Sequence, residues 1–165
     1  MSLAAAIDAE AARLTSDLVR IRRTLHANPE LAFEEHETAA LVASHLDALG
    51  LSVQRGIGRT GVVAVLEGAR PGPTVGLRAD MDALPIQEAT GLPYASTRAG
   101  RMHACGHDLH TAIGLGVASV LCGLRDRIAG RVKFIFQPAE EVLRGAAAMI
   151  ADGVLDAPRV DTIVS

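Results

Sequence analysis

Three apolar runs constrain the fold of this chain more than any other feature. Gly61-Val62-Val63-Ala64-Val65-Leu66 is nearly unbroken, as a buried strand would be. Thr74-Val75-Gly76-Leu77-Arg78 and Arg131-Val132-Lys133-Phe134-Ile135-Phe136 read as further strands, and Leu51 to Gln54 as a short one. Helical patterns lie around them. Leu3, Ile7, Leu14, Leu18, Ile21 and Leu25 recur at helical spacing and stop at Asn28-Pro29. A second helix is expected over 37–49 with Gly50 as its cap, a third over 111–124, and a fourth over 145–151. Arg70-Pro71-Gly72-Pro73 reads as a turn, 87–102 as a loop, and 160–164 as the start of another strand. This order predicts a three-layer α/β domain: a mostly parallel sheet flanked by helices, with an antiparallel edge from the early strands.

Composition narrows the function. The 165 residues suffice for one domain with a real core. A net charge of -3 with 21% charged residues offers no basic patch for nucleic acid. No apolar run approaches the ~20 residues that span a bilayer, and the start of the chain lacks a signal-peptide pattern. Aromatic content of 2%, without Trp, leaves the core to Ala, Val, Leu and Ile. Of the two cysteines, Cys105 and Cys122, a disulfide is one option; a reducing cytoplasm is the simpler reading.

Three polar clusters sit where α/β proteins keep their chemistry, in loops at strand ends. His103-Ala104-Cys105-Gly106-His107-Asp108-Leu109-His110 packs three imidazoles, a thiol and a carboxylate into eight residues. Gly106 lets two donors point at one centre. Asp80 and Asp82 follow one strand, and Glu140 and Glu141 follow another. Taken singly, each has a plain structural explanation: a histidine-rich loop, turn-forming aspartates, an acidic pair opening a helix. Together they compose a metal site in which one of the adjacent glutamates ligates and the other acts as base. Thiolate and imidazole favour Zn²⁺, or Mn²⁺, Co²⁺ or Ni²⁺, over Ca²⁺ and Mg²⁺. A different chemistry would make Cys105 a nucleophile activated by His103 or His107, but it leaves both glutamates idle. His26, His36 and His45 show no partner spacing and read as solvated or structural.

Four motifs carry a family resemblance. Arg22-Arg23-Thr24-Leu25-His26-Ala27-Asn28-Pro29-Glu30-Leu31, Leu77-Arg78-Ala79-Asp80-Met81-Asp82-Ala83-Leu84-Pro85, Met102-His103-Ala104-Cys105-Gly106-His107-Asp108 and Gln137-Pro138-Ala139-Glu140-Glu141 stand in order. They resemble the metal-dependent amidohydrolases of the aminoacylase/carboxypeptidase metallopeptidase superfamily, in the branch of hippurate hydrolases, N-acyl-amino-acid amidohydrolases and auxin-conjugate hydrolases. The resemblance implies hydrolysis of the amide bond of an N-acyl amino acid or a short peptide-like substrate. It implies Cys105, His107 and Glu141 as metal ligands, Glu140 as general base, and Asp82 as the aspartate supporting the site. Asp80 stands where related branches have a metal-binding His. It implies Zn or Mn, with up to two ions in the full family, and a homo-oligomer. Family members continue past this region into a further metal-binding His, a lid and dimerisation domain, and a returning catalytic segment. Residues 1–165 are thus expected to match the amino-terminal part of the catalytic domain, with the rest absent. The alternative is a folded, inactive fragment that self-associates.

Overall fold

The computed structural model describes residues 2–165. The chain forms α1 (Leu3–Ala27), α2 (His36–Ala48), β1 (Ser52–Ile57), β2 (Gly61–Glu67), β3 (Arg70–Asp80), α3 (His107–Gly123), β4 (Ala129–Gln137), α4 (Gly145–Ala151) and β5 (Thr162–Val164). The strands make one sheet in the order β1-β2-β4-β3-β5. β3 pairs in parallel with both β4 and β5, while β2 runs antiparallel to β1 and β4. Four strands therefore point the same way and β2 alone opposes them. The antiparallel element lies inside the sheet, between β1 and β4, and not only at an edge.

Period-two alternation divides the sheet into two faces. Val62, Ala64 and Leu66 of β2, Phe134 and Phe136 of β4, and Ala79 of β3 pack with α2, α3 and the end of α1. Val63 and Ile135 point the other way and meet Met149 of α4 and Val154. The result is the expected three layers. Phe134, Phe136 and Met81 are nonetheless fully enclosed, so the core is not purely aliphatic. Lys133 shares the α4 face. Its stem is buried, and its ammonium donates to Ala157 O and Pro158 O at 3.2 Å each, tying down the segment before β5. Burial lowers its pKa from the ordinary lysine value.

Two boundaries differ from the sequence expectation. The segment from Arg70 to Pro73 belongs to β3 and is accommodated by a register irregularity before Thr74. Helix α3 starts at His107, not 111, because Gly106 turns the chain with φ 93 directly into the helix. No helix among the described residues is long and apolar enough to cross a membrane.

Close backbone packing joins α4 to the end of β4. A Cβ at Gly145 would collide with the Pro138 carbonyl oxygen. Replacing Gly145 by Ala should cost about 3 kcal/mol through overpacking. Urea unfolding should show it as a lower midpoint at unchanged slope.

Candidate metal centre

The register of β3 against β4 builds the site. Asp80 lies opposite Gln137, and the ladder extends one step further as Met81 N donates to Gln137 O at 3.0 Å. The residues after each strand, Asp80 to Asp82 and Pro138 to Glu141, therefore emerge side by side. The first turn of α3 is tethered to the same rim, since the Thr111 hydroxyl donates to Asp80 O at 2.7 Å.

His107 stands at the centre. Its Nδ1 lies 2.9 Å from the main-chain oxygen of Asp82. A carbonyl only accepts, so Nδ1 carries a proton and Nε2 is the nitrogen turned toward the surrounding acids. Nε2 faces Asp80 Oδ1 at 3.5 Å, Glu140 Oε2 at 3.8 Å and Glu141 Oε1 at 3.8 Å. Asp82 also accepts from Glu141 N at 2.9 Å, which fixes the glutamate turn against the imidazole. One donor atom each from Cys105, His107 and Glu141 lie within 4.8 Å of one another, and Asp80, His107 and Glu140 form a second such group.

The electrostatics follow from so many acids around one ring. Burial works to lower the His107 pKa, but Asp82 and Asp80 outweigh it and hold the value at about 9. The Asp82 carboxyl is itself held below its ordinary value: desolvation raises it, and His107 with the amides of Glu141 and Glu140 more than compensates. The Glu141 carboxylate, burial and the further charges of Glu140 and Asp80 push the Cys105 thiol up. A nucleophilic cysteine needs the opposite shift.

The residues fit a divalent cation. Glu141 Oε1 is buried without a hydrogen-bond partner among the described residues, which a soft-and-hard donor set of thiol, imidazole and carboxylate around an ion would explain, and the likewise unpartnered Asp82 Oδ1 lies 3.4 Å from His107 Nδ1. Both nitrogens of the enclosed His103 are also unpartnered, and burial pushes its pKa down to about 4. His110 sits outside the donor groups and bonds Asp80 Oδ1 through Nδ1 at 2.6 Å, while Arg78 pairs with the other oxygen at 2.8 Å. Cys105 and Cys122 are both free thiols.

Sequence reasoning missed the acids that support this rim. Glu35 is fully buried in what reads as a connector. It accepts from Ala139 N at 2.8 Å, Phe33 N at 3.0 Å and the Thr60 hydroxyl, holding the turn before Glu140 with Ala139 at φ 51. Burial pushes its carboxyl up against those donors. Glu30 accepts from Glu37 N and Thr38 N and so caps α2. His26 is structural but not solvated: its Nδ1 lies 2.7 Å from Asp108 Oδ2, which also takes Arg22 Nε at 2.8 Å. His26 Nε2 is 3.2 Å from Glu88. No local spacing announces these partners, which lie 62 and 82 residues away.

The model of Peptidase family M20/M25/M40 matches residues 76–165, more than half of the chain. The chain belongs to that family. It is 48% identical over 151 residues to the N-acetyl-L-cysteine deacetylase of Bacillus subtilis (strain 168), covering 92% of this chain and 36% of that protein. It is 48% identical over 151 residues to the N-acyl-L-amino acid amidohydrolase of Geobacillus stearothermophilus, covering 90% of this chain and 40% of that protein. The crystal structure of the Bacillus subtilis YXEP protein, a dinuclear metal-binding peptidase of the M20 family, superimposes with a TM-score of 0.85 at 44% identity, over 94% of this chain and 42% of that one. The chain thus spans well under half the length of the relatives it matches.

Glu88 provides a pH handle. Desolvation raises its carboxyl, but the Thr90 hydroxyl, the Ser96 amide and His26 outweigh that and hold it at about 2, against an ordinary 4.5. A depressed folded-state value stabilises the fold fully above pH 4.5, and that stabilisation fades as pH falls toward 2. Glu88→Gln should therefore melt below the wild type at pH 6, with the gap closing between about pH 4.5 and 2 in a series of thermal melts.

Proposed function

We propose that this chain carries the metal-binding and proton-transferring residues of a metal-dependent amidohydrolase that cleaves the amide bond of N-acyl amino acids. One observation carries the reading: Cys105, His107 and Glu141, drawn from two separate stretches of sequence, present donor atoms within 4.8 Å of one another at one rim of the sheet. The names borne by the Bacillus subtilis and Geobacillus relatives support the substrate class.

Cys105, His107 and Glu141 would hold the cation, Zn²⁺ or Mn²⁺ by the chemistry of the donors. Such an ion supplies Lewis acidity toward the amide carbonyl and toward water. The chain's own residues do the rest. Glu140, partly open to solvent beside His107, accepts the proton of the attacking water and returns it to the departing nitrogen. Asp82 positions rather than reacts: its carbonyl orients the imidazole and its carboxylate holds the Glu141 amide. The acids around His107 raise its pKa, so a cation taking Nε2 would compete with a proton there.

Exposed apolar side chains, among them Leu109, Ile113 and Leu143, favour self-association as a second reading, either alongside catalysis or in place of it. In the latter case no turnover of N-acyl amino acids follows addition of Zn²⁺ or Mn²⁺.

Two variants separate the roles. Glu140→Gln should lower turnover of N-acetyl or N-benzoyl amino acids by about 100-fold or more, with bound metal unchanged by elemental analysis. Undiminished hydrolysis refutes the base. Cys105→Ala should instead lose metal, read as a weakening of Zn²⁺ affinity of about 10-fold or more by competition with a chromogenic chelator.

A further inference from the structure

We infer that Arg59 and Arg144 frame a carboxylate-binding recess beside the glutamate turn, and that it takes the free carboxylate of an N-acyl amino acid. The inference rests on the amidohydrolase reading for the identity of the ligand, and on geometry for the recess itself. β1 runs in the direction of β3 and β4, so the turn after it, Gly58 to Thr60, opens at the rim that carries Glu140 and Glu141. There a cavity of about 520 Å³ is lined by Ala32, Phe33, Arg59, Val142, Arg144 and Ala148. Val142 and Arg144 directly follow the glutamate pair in the chain.

The recess is basic and apolar at once. The Arg59 guanidinium lies over the Phe33 ring, 4.4 Å from its centroid. Among the described residues neither Arg59 nor Arg144 forms an ion pair, a state they share with Arg23, Arg70, Arg125, Arg127 and Arg159. The nearby acids are engaged elsewhere. Asp152 accepts from Gly58 N at 2.7 Å, Glu34 pairs with Arg101, and Glu35 is spent on two amides and a hydroxyl. The walls are also held in a costly conformation. Phe33 (φ 64) and Arg59 (φ 82) both adopt the left-handed region without being glycine, and such strain concentrates where ligands bind. A guanidinium stacked on an aromatic ring, with a second arginine lining the same recess, matches a planar carboxylate attached to an apolar group.

The test is an NMR titration of the chain with N-benzoylglycine and with its neutral amide, N-benzoylglycinamide. The acid should bind about tenfold more tightly than the amide, the worth of one charge-assisted hydrogen bond, and should shift the Phe33 ring resonances. Arg59→Met and Arg144→Met should each erase most of that preference, and Arg59→Lys should keep part of it. Equal binding of acid and amide, a preference that survives both methionine variants, or unmoved Phe33 resonances overturns the recess. The readout needs no turnover. Loss of the preference condemns the recess alone, while an intact preference without metal-dependent hydrolysis condemns the amidohydrolase reading alone.

Discussion

The parallel pairing of β3 with β4 is the constraint on which the rest of the rim depends. Asp80 opposite Gln137 sets two acidic segments next to each other, and every site distance inherits that alignment. A slip of one residue by β3 would turn Ala79 out of the core and Arg78 into it. A slip of two would preserve the faces but carry Asp82 roughly 6.6 Å along the sheet from Glu141. The bond from the Glu141 amide to Asp82 would then be lost, and with it the approach of Glu141 to His107. The apolar side chains that fix the register thus also fix the chemistry.

Much of this was legible in the chain. Strand runs ending in acids, together with a dense His/Cys block, imply convergence at one rim, and the strands, helices and donor residues lie where that logic puts them. The position of Asp80 was less legible. Turn chemistry explains an aspartate after a strand well enough, yet its carboxylate is divided among Arg78, His110 and His107. The start of α3 was misplaced because Gly, His and Asp read as loop residues, whereas a single glycine with positive φ lets the helix begin at once.

Glu35, Glu88 and His26 were illegible for a different reason. Each has at least one partner far along the chain: Glu35 reaches Ala139 across 104 residues, and Glu88 meets His26 across 62. A solitary acid in a connector has no periodicity to betray it. Its use depends on which backbone amides fold up around it. The same holds for Lys133, whose place in an apolar strand looks like an exposed interruption but is a buried anchor for two carbonyls. Buried polar groups of this kind must find partners, and here they find main chain, which is how irregular loops gain a defined shape.

His107 belongs to both donor groups, yet only one of its nitrogens is free, because the other is committed to the Asp82 carbonyl. A single lone pair can make one coordinate bond. Within these residues the two triads would share that one nitrogen, and a pair of ions would leave one of them with either Asp80 and Glu140 or Cys105 and Glu141 alone. A cation seated in one triad would therefore leave the other without its imidazole.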